Sequence, residues 1–91
     1  METVHLLISG KVQGVFFRKT AARIARNFDI KGWIKNTKDF RVEAMITGNS
    51  DDVKSFINWC RTGPDKADVT DVAVSKHPET FFKEFEIIRG K

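Results

Sequence analysis

Apolar residues change their period several times along the chain, and each change marks an element. Val4, Leu6 and Ile8 alternate with His5, Leu7 and Ser9, the two-residue period of a strand over residues 3–9. Glycine and valine punctuate residues 10–15. From Phe17 the period becomes helical, with Phe17, Ala21, Ile24, Ala25 and Phe28 on one face over residues 17–28. Ile30, Trp33 and the β-prone run to Lys35 predict a second strand. A turn is expected near Thr37–Phe40, after which Val42, Ala44 and Ile46 alternate with Glu43, Met45 and Thr47 as a third strand. Gly48-Asn49-Ser50-Asp51-Asp52 opens a second helix that turns Val53, Phe56, Ile57 and Cys60 inward and stops at Gly63-Pro64. Val69, Val72 and Val74 mark a fourth strand, whose uneven spacing predicts a bulge. Residues 81–88 read as a fifth strand or a hairpin return.

The order strand, helix, strand, strand, helix, strand predicts an α+β, ferredoxin-like split βαβ sandwich: an antiparallel sheet with both helices on one face. In that topology the first and second strands run the same way, with the third running back between them. Their C-terminal ends share one edge of the sheet. The glycine loop leaves the first strand at that edge, and Asn36 ends the second there, about 10 Å away across two strand spacings.

The two helices start differently. The second has Asn49 or Ser50 as its N-cap, to satisfy free amides, and Asp51 and Asp52 to complement the helix dipole. The first has no Ser, Thr, Asp or Asn at residues 13–16, and its first turn carries two cations, Arg18 and Lys19. A like-signed charge at a positive helix end costs roughly 0.3–1 kcal/mol. The arrangement makes sense if an external anion is the cap. Gly10 and Gly14 give the backbone freedom for the amides of Gln13 to Arg18 to converge on a phosphate, and Arg18 adds a planar fork of donors. The bland alternative is a glycine turn whose amides are met by water. Asn36 has its own bland alternative as a hairpin residue before Thr37-Lys38-Asp39.

Composition narrows the classes. Ninety-one residues, 41% hydrophobic and 31% charged, fit one domain over residues 1–91. No apolar run approaches the roughly 20 residues of a membrane span, and the N-terminus lacks a signal-peptide pattern. Cys60 alone leaves no internal disulfide or multi-cysteine metal site, so a reducing cytoplasm is expected, and without an extra apolar stripe, a monomer. Sixteen Lys and Arg against twelve Asp and Glu give a net charge of +4, which suits an anionic partner. The basic residues are scattered, which argues against a polybasic arm. The segment Gly10-Lys-Val-Gln-Gly14 has neither Walker spacing nor a G-x-G-x-x-G pattern, and Lys66 stands where a Cys60-based phosphatase loop needs arginine. Cys60 reads as a small core residue.

A mechanism without a protein base is implied. His5 is mid-strand, His77 precedes Pro78, and no carboxylate pair suggests acid–base work. A mixed carboxylic–phosphoric anhydride has a good leaving group, so positioning and charge stabilisation suffice. Arg18 and the loop amides would hold the phosphoryl oxygens, and Asn36 would orient water in line.

At this point the residues resemble a family. Gly10-Lys-Val-Gln-Gly-Val-Phe-Phe-Arg18 resembles the acylphosphatase signature G-x-V-Q-G-V-x-F-R and matches at every specified position. Gly32-Trp-Ile-Lys-Asn36-Thr37, then Asp39 and Val42-Glu43, resembles the second signature. Gly63-Pro64, Ala67, Val69 and the terminal Phe85-Glu-Ile fit later parts of the pattern. The resemblance implies a ferredoxin-like fold and hydrolysis of small acyl phosphates to carboxylate and inorganic phosphate, with no cofactor and no metal. It implies a site that takes phosphate or sulfate, with neither membrane nor nucleic acid as a partner. By motif position the phosphate-binding arginine falls on Arg18 and the water-orienting asparagine on Asn36. The loop amides fall on Gln13, Gly14, Val15, Phe16, Phe17 and Arg18. Gly10 would abut the asparagine side chain, and Thr37 would support it. One position departs: Phe40 stands where the family has glycine, and the turn is expected to have changed type.

A second class stays in view: a non-catalytic ferredoxin-like binding module for RNA or protein partners. Eight Phe and two Trp would supply aromatics, but an RNP1-like run is missing, Gly32-Trp33-Ile34 is a faint echo, and most phenylalanines read as core.

Overall fold

The computed structural model describes residues 1–89. The alternating N-terminal run forms β1 (Glu2–Lys11), and the first helical period forms α1 (Phe17–Asn27). There follow β2 (Lys31–Asn36), β3 (Val42–Gly48), α2 (Ser50–Thr62), β4 (Asp68–His77) and β5 (Phe85–Ile88). The sheet order is β4-β1-β3-β2-β5. β3 runs antiparallel to both β1 and β2, so β1 and β2 are parallel and end at the same edge.

Alternation sorts each strand into a covered and an open face. Val4, Leu6 and Ile8 of β1, Val42, Ala44 and Ile46 of β3, and Ile34 of β2 join one buried cluster with Phe17, Ala21, Ala22 and Ala25 of α1 and Val53, Phe56 and Cys60 of α2. Both helices thus cover one face. Each fully buried Leu, Ile or Phe contributes roughly 1.5–3 kcal/mol relative to exposure. Ile24, Phe28 and Ile57 only lean on this cluster. Cys60 is a core residue, and burial pushes its thiol pKa well above the ordinary range.

Two expectations are corrected. The sheet is mixed rather than antiparallel, because β5 lies parallel to β2, pairing Gly32 with Phe85 through Lys35 with Ile88. Residues 78–84 carry the chain from one edge of the sheet to the other. A pair of buried threonines pins this crossing: Thr3 and Thr47 hydroxyls lie 2.6 Å apart, the Thr80 amide donates to Thr3 Oγ1, and Thr47 Oγ1 donates to the Thr80 carbonyl. The bulge expected in the fourth strand is present, its register shifting opposite Ser9 and Gly10 of β1. Finally, Asn49 is the N-cap of α2 but its side chain makes no cap bond, so only Asp51 and Asp52 answer that helix end.

Candidate active site

The segment between β1 and α1 turns sharply before the helix begins. Gly14 and Phe16 have left-handed backbones, with φ of 74° and 62°. Phe16 is the N-cap of α1, no side chain caps the helix, and its first turn has no acid. Among the described residues, no loop or cap bond takes the amides of Gln13 to Phe17. A non-glycine residue held left-handed costs of order 1–3 kcal/mol, strain that clusters at functional sites. The Phe16 ring gains little in return, being 74% exposed. The start of α1 thus combines amides without a loop or cap partner, the positive end of the helix dipole and Arg18.

Two cavities open here, of about 350 and 390 Å³. Arg18, Asn36 and Arg89 are walls of both. Gly14, Phe16 and Phe17 complete one on the loop side, and Gln13, Thr37 and Lys38 the other on the turn side. Five cations line the pair, Arg18, Lys19, Lys35, Lys38 and Arg89, and no carboxylate does among the described residues. A larger cavity, about 640 Å³, lies instead where α1 ends and β5 begins, between Arg26, Asp29, Lys31 and Glu84. It is lined by acids and bases alike and by neither Arg18 nor Asn36.

Asn36 is the last residue of β2 and pairs with Val42. Its Oδ1 is buried and has no hydrogen-bond partner. A buried acceptor left unmet costs roughly 1–3 kcal/mol, so it is poised for a donor that arrives with a ligand or water.

Gln13 does more than lend an amide. Its Nε2 donates to the carbonyls of Thr37 and Arg41, at 3.0 and 2.8 Å, and so ties the loop to the β2–β3 turn. The turn has its own brace. Asp39 accepts from Thr37 Oγ1 and from the Arg41 guanidinium. Those bonds, Arg41's first, hold the Asp39 carboxyl down to about 2 and raise the Arg41 pKa.

A family model described as Acylphosphatase matches residues 4–87. The chain belongs to the acylphosphatase family. It is 43% identical over 89 residues to an acylphosphatase of Syntrophus aciditrophicus, covering 98% of this chain and 91% of that protein. To an acylphosphatase of Methylococcus capsulatus it is 41% identical over 90 residues, covering 98% of each. Its fold superposes on the crystal structure of acylphosphatase from Bacillus subtilis with a TM-score of 0.94 and 30% identity, covering 98% and 100% of the two chains.

Roles carried over from the acylphosphatase signature meet this geometry unevenly. Arg18 and Asn36 come together, with Gly14, Phe16 and Phe17, on one cavity. At Gly10 the close neighbour is β4. A Cβ there would fall 2.2 Å from the Asp68 carbonyl oxygen of β4, and its φ is 120°. Thr37 supports the turn rather than the asparagine side chain: its hydroxyl meets Asp39 and accepts from the Arg41 amide at 2.9 Å. Phe40 itself holds a left-handed backbone, with φ of 69°, a conformation that glycine takes without steric cost. The phenylalanines divide: Phe17, Phe56 and Phe85 are core, whereas Phe16, Phe40 and Phe81 are exposed. His5 contacts Glu43 at 2.7 Å on the open face of the sheet, and His77 ends β4, both away from the cavities.

The sequence reading missed Arg89, Lys19, Lys35 and Lys38 as cavity walls. For Arg89 the only available signal was its place directly after the apolar run Phe85–Ile88.

Proposed function

We propose that this chain is an acylphosphatase. It hydrolyses the carboxyl–phosphate bond of small acyl phosphates, giving a carboxylate and inorganic phosphate, and it works without a cofactor as a single unit over residues 1–91. The same reading makes it a cytoplasmic monomer whose site also accepts free phosphate or sulfate. The amides of Gln13, Gly14, Val15, Phe16, Phe17 and Arg18, with the Arg18 guanidinium, hold the phosphoryl oxygens and offset their charge. Asn36 Oδ1 accepts a hydrogen bond from a water and aligns it opposite the leaving group. Water oxygen bonds to phosphorus, the phosphorus–carboxylate bond breaks, and the electron pair leaves with the carboxylate. One water proton passes to a phosphoryl oxygen, so no protein base is needed.

The observation that carries this reading is the unpartnered, buried Asn36 Oδ1 on a cavity it shares with Arg18 and the uncapped start of α1. No observation favours a nucleic-acid module: among the described residues Trp33 is the one strand aromatic on the open sheet face, with Lys35 Nζ 5.4 Å over its ring. The test is hydrolysis of benzoyl phosphate. The purified protein is expected to turn it over, and Arg18→Ala to abolish turnover and weaken phosphate binding. Turnover by the unaltered protein equal to buffer would sink the proposal.

A further inference from the structure

β5 ends where the site begins. Its last pair joins Ile88 to Lys35, and one further step in the parallel register brings Arg89 alongside Asn36. Side chains alternate along the strand, so Arg89 shares the helix-facing side with Ile87, which packs against the core. Arg89 is a wall of both cavities, as Arg18 and Asn36 are. It is the one guanidinium there besides Arg18, and it arrives from the end of β5 rather than from α1. Lys35, by contrast, already reaches Glu43 at 3.7 Å.

A transferring phosphoryl group presents three equatorial oxygens. The loop amides and Arg18 approach them from the β1–α1 side, which leaves the β2–β5 side open for a second donor. A guanidinium fits that role because its planar fork pairs with phosphate oxygens and stays charged at any working pH.

From this placement we infer that Arg89 is a further substrate-binding residue, whose guanidinium clamps the phosphoryl group from β5 across from Arg18. This rests on reading the Gly10–Arg18 loop as the phosphate site. The phosphoryl group keeps its charge from ground state to transition state. Arg89 therefore contributes mainly uniform binding, which appears in KM and in phosphate affinity rather than in kcat.

The test uses Arg89→Gln and Arg89→Lys beside Lys54→Gln, which removes an equal charge from the exposed side of α2. Inorganic phosphate is titrated by calorimetry, and KM and kcat are measured with benzoyl phosphate at low and high salt. Arg89→Gln is expected to weaken phosphate binding and raise KM about tenfold, with kcat changed less than about twofold. Arg89→Lys should recover part of the loss, and the effect should shrink at high ionic strength. Arg89→Gln behaving like Lys54→Gln in phosphate binding would overturn the inference while leaving the hydrolase reading intact. An equal fall in kcat would overturn it too, by making Arg89 part of transition-state stabilisation or of the fold. Phosphate binding that depends on Arg89 in a protein without turnover would support the clamp and remove the hydrolase reading alone. An unaltered protein that binds no phosphate would remove both.

Discussion

Phe40 sits in the β2–β3 turn with a φ of 69° and a ring 76% exposed. Its Cβ pays the left-handed penalty of roughly 1–2 kcal/mol, and the ring recovers little by burial. Glycine removes that penalty but loosens the unfolded chain by about 0.5–1 kcal/mol. Phe40→Gly is therefore expected to raise stability by about 0.5–1 kcal/mol, read as a higher urea midpoint. A lower midpoint would mean that the ring stabilises the turn. The neighbouring Asp39 gives a pH signature. Its carboxyl titrates near 2 in the folded chain, below the ordinary 3.8, because Arg41 and Thr37 donate to the ionised form. A depressed carboxyl stabilises the fold above the unfolded pKa and loses that contribution as pH falls through the folded one. The stability gap between the unaltered protein and Asp39→Asn should therefore be constant above about pH 5 and narrow between pH 4 and 2. A gap that does not move with pH would remove the charge from the brace.

The start of α1 and the end of β2 are separate elements that must keep register with each other, and Gln13 links them. Its two side-chain bonds to Thr37 and Arg41 carbonyls each contribute roughly 1 kcal/mol net. Gln13→Met keeps the shape and the backbone amide but cuts the tie. It should lower kcat for benzoyl phosphate severalfold while changing phosphate affinity little, since the loop amides stay and Asn36 loses its anchor. Equal losses in both would mean that Gln13 shapes the loop itself. The uncapped helix start was legible in the sequence, because residues 13–16 lack a capping side chain and Arg18 and Lys19 carry the wrong charge for stability. The tie was not. Where a glutamine side chain points depends on two carbonyls 24 and 28 residues away, and no local period records that.

At the scale of the whole molecule, three strands run the same way, β1, β2 and β5, and each ends at the site. The first two ends follow from the element order that hydrophobic periodicity discloses. The third does not: β5 is a short strand at an edge, its partner β2 lies about fifty residues earlier, and its parallel register comes from the crossing held by Thr3, Thr47 and Thr80. The reason Gly10 must be glycine is non-local in the same way, since the atoms that exclude a side chain there belong to β4. The proposed division of labour gives phosphate to the loop and water to Asn36, and it is the central claim. It is tested most directly by measuring phosphate affinity and benzoyl phosphate turnover on one preparation of Asn36→Ala. Turnover is expected to fall by at least about a hundredfold while the phosphate Kd shifts less than about threefold. Turnover that survives, or a loss of phosphate binding as large as the loss of turnover, would contradict it.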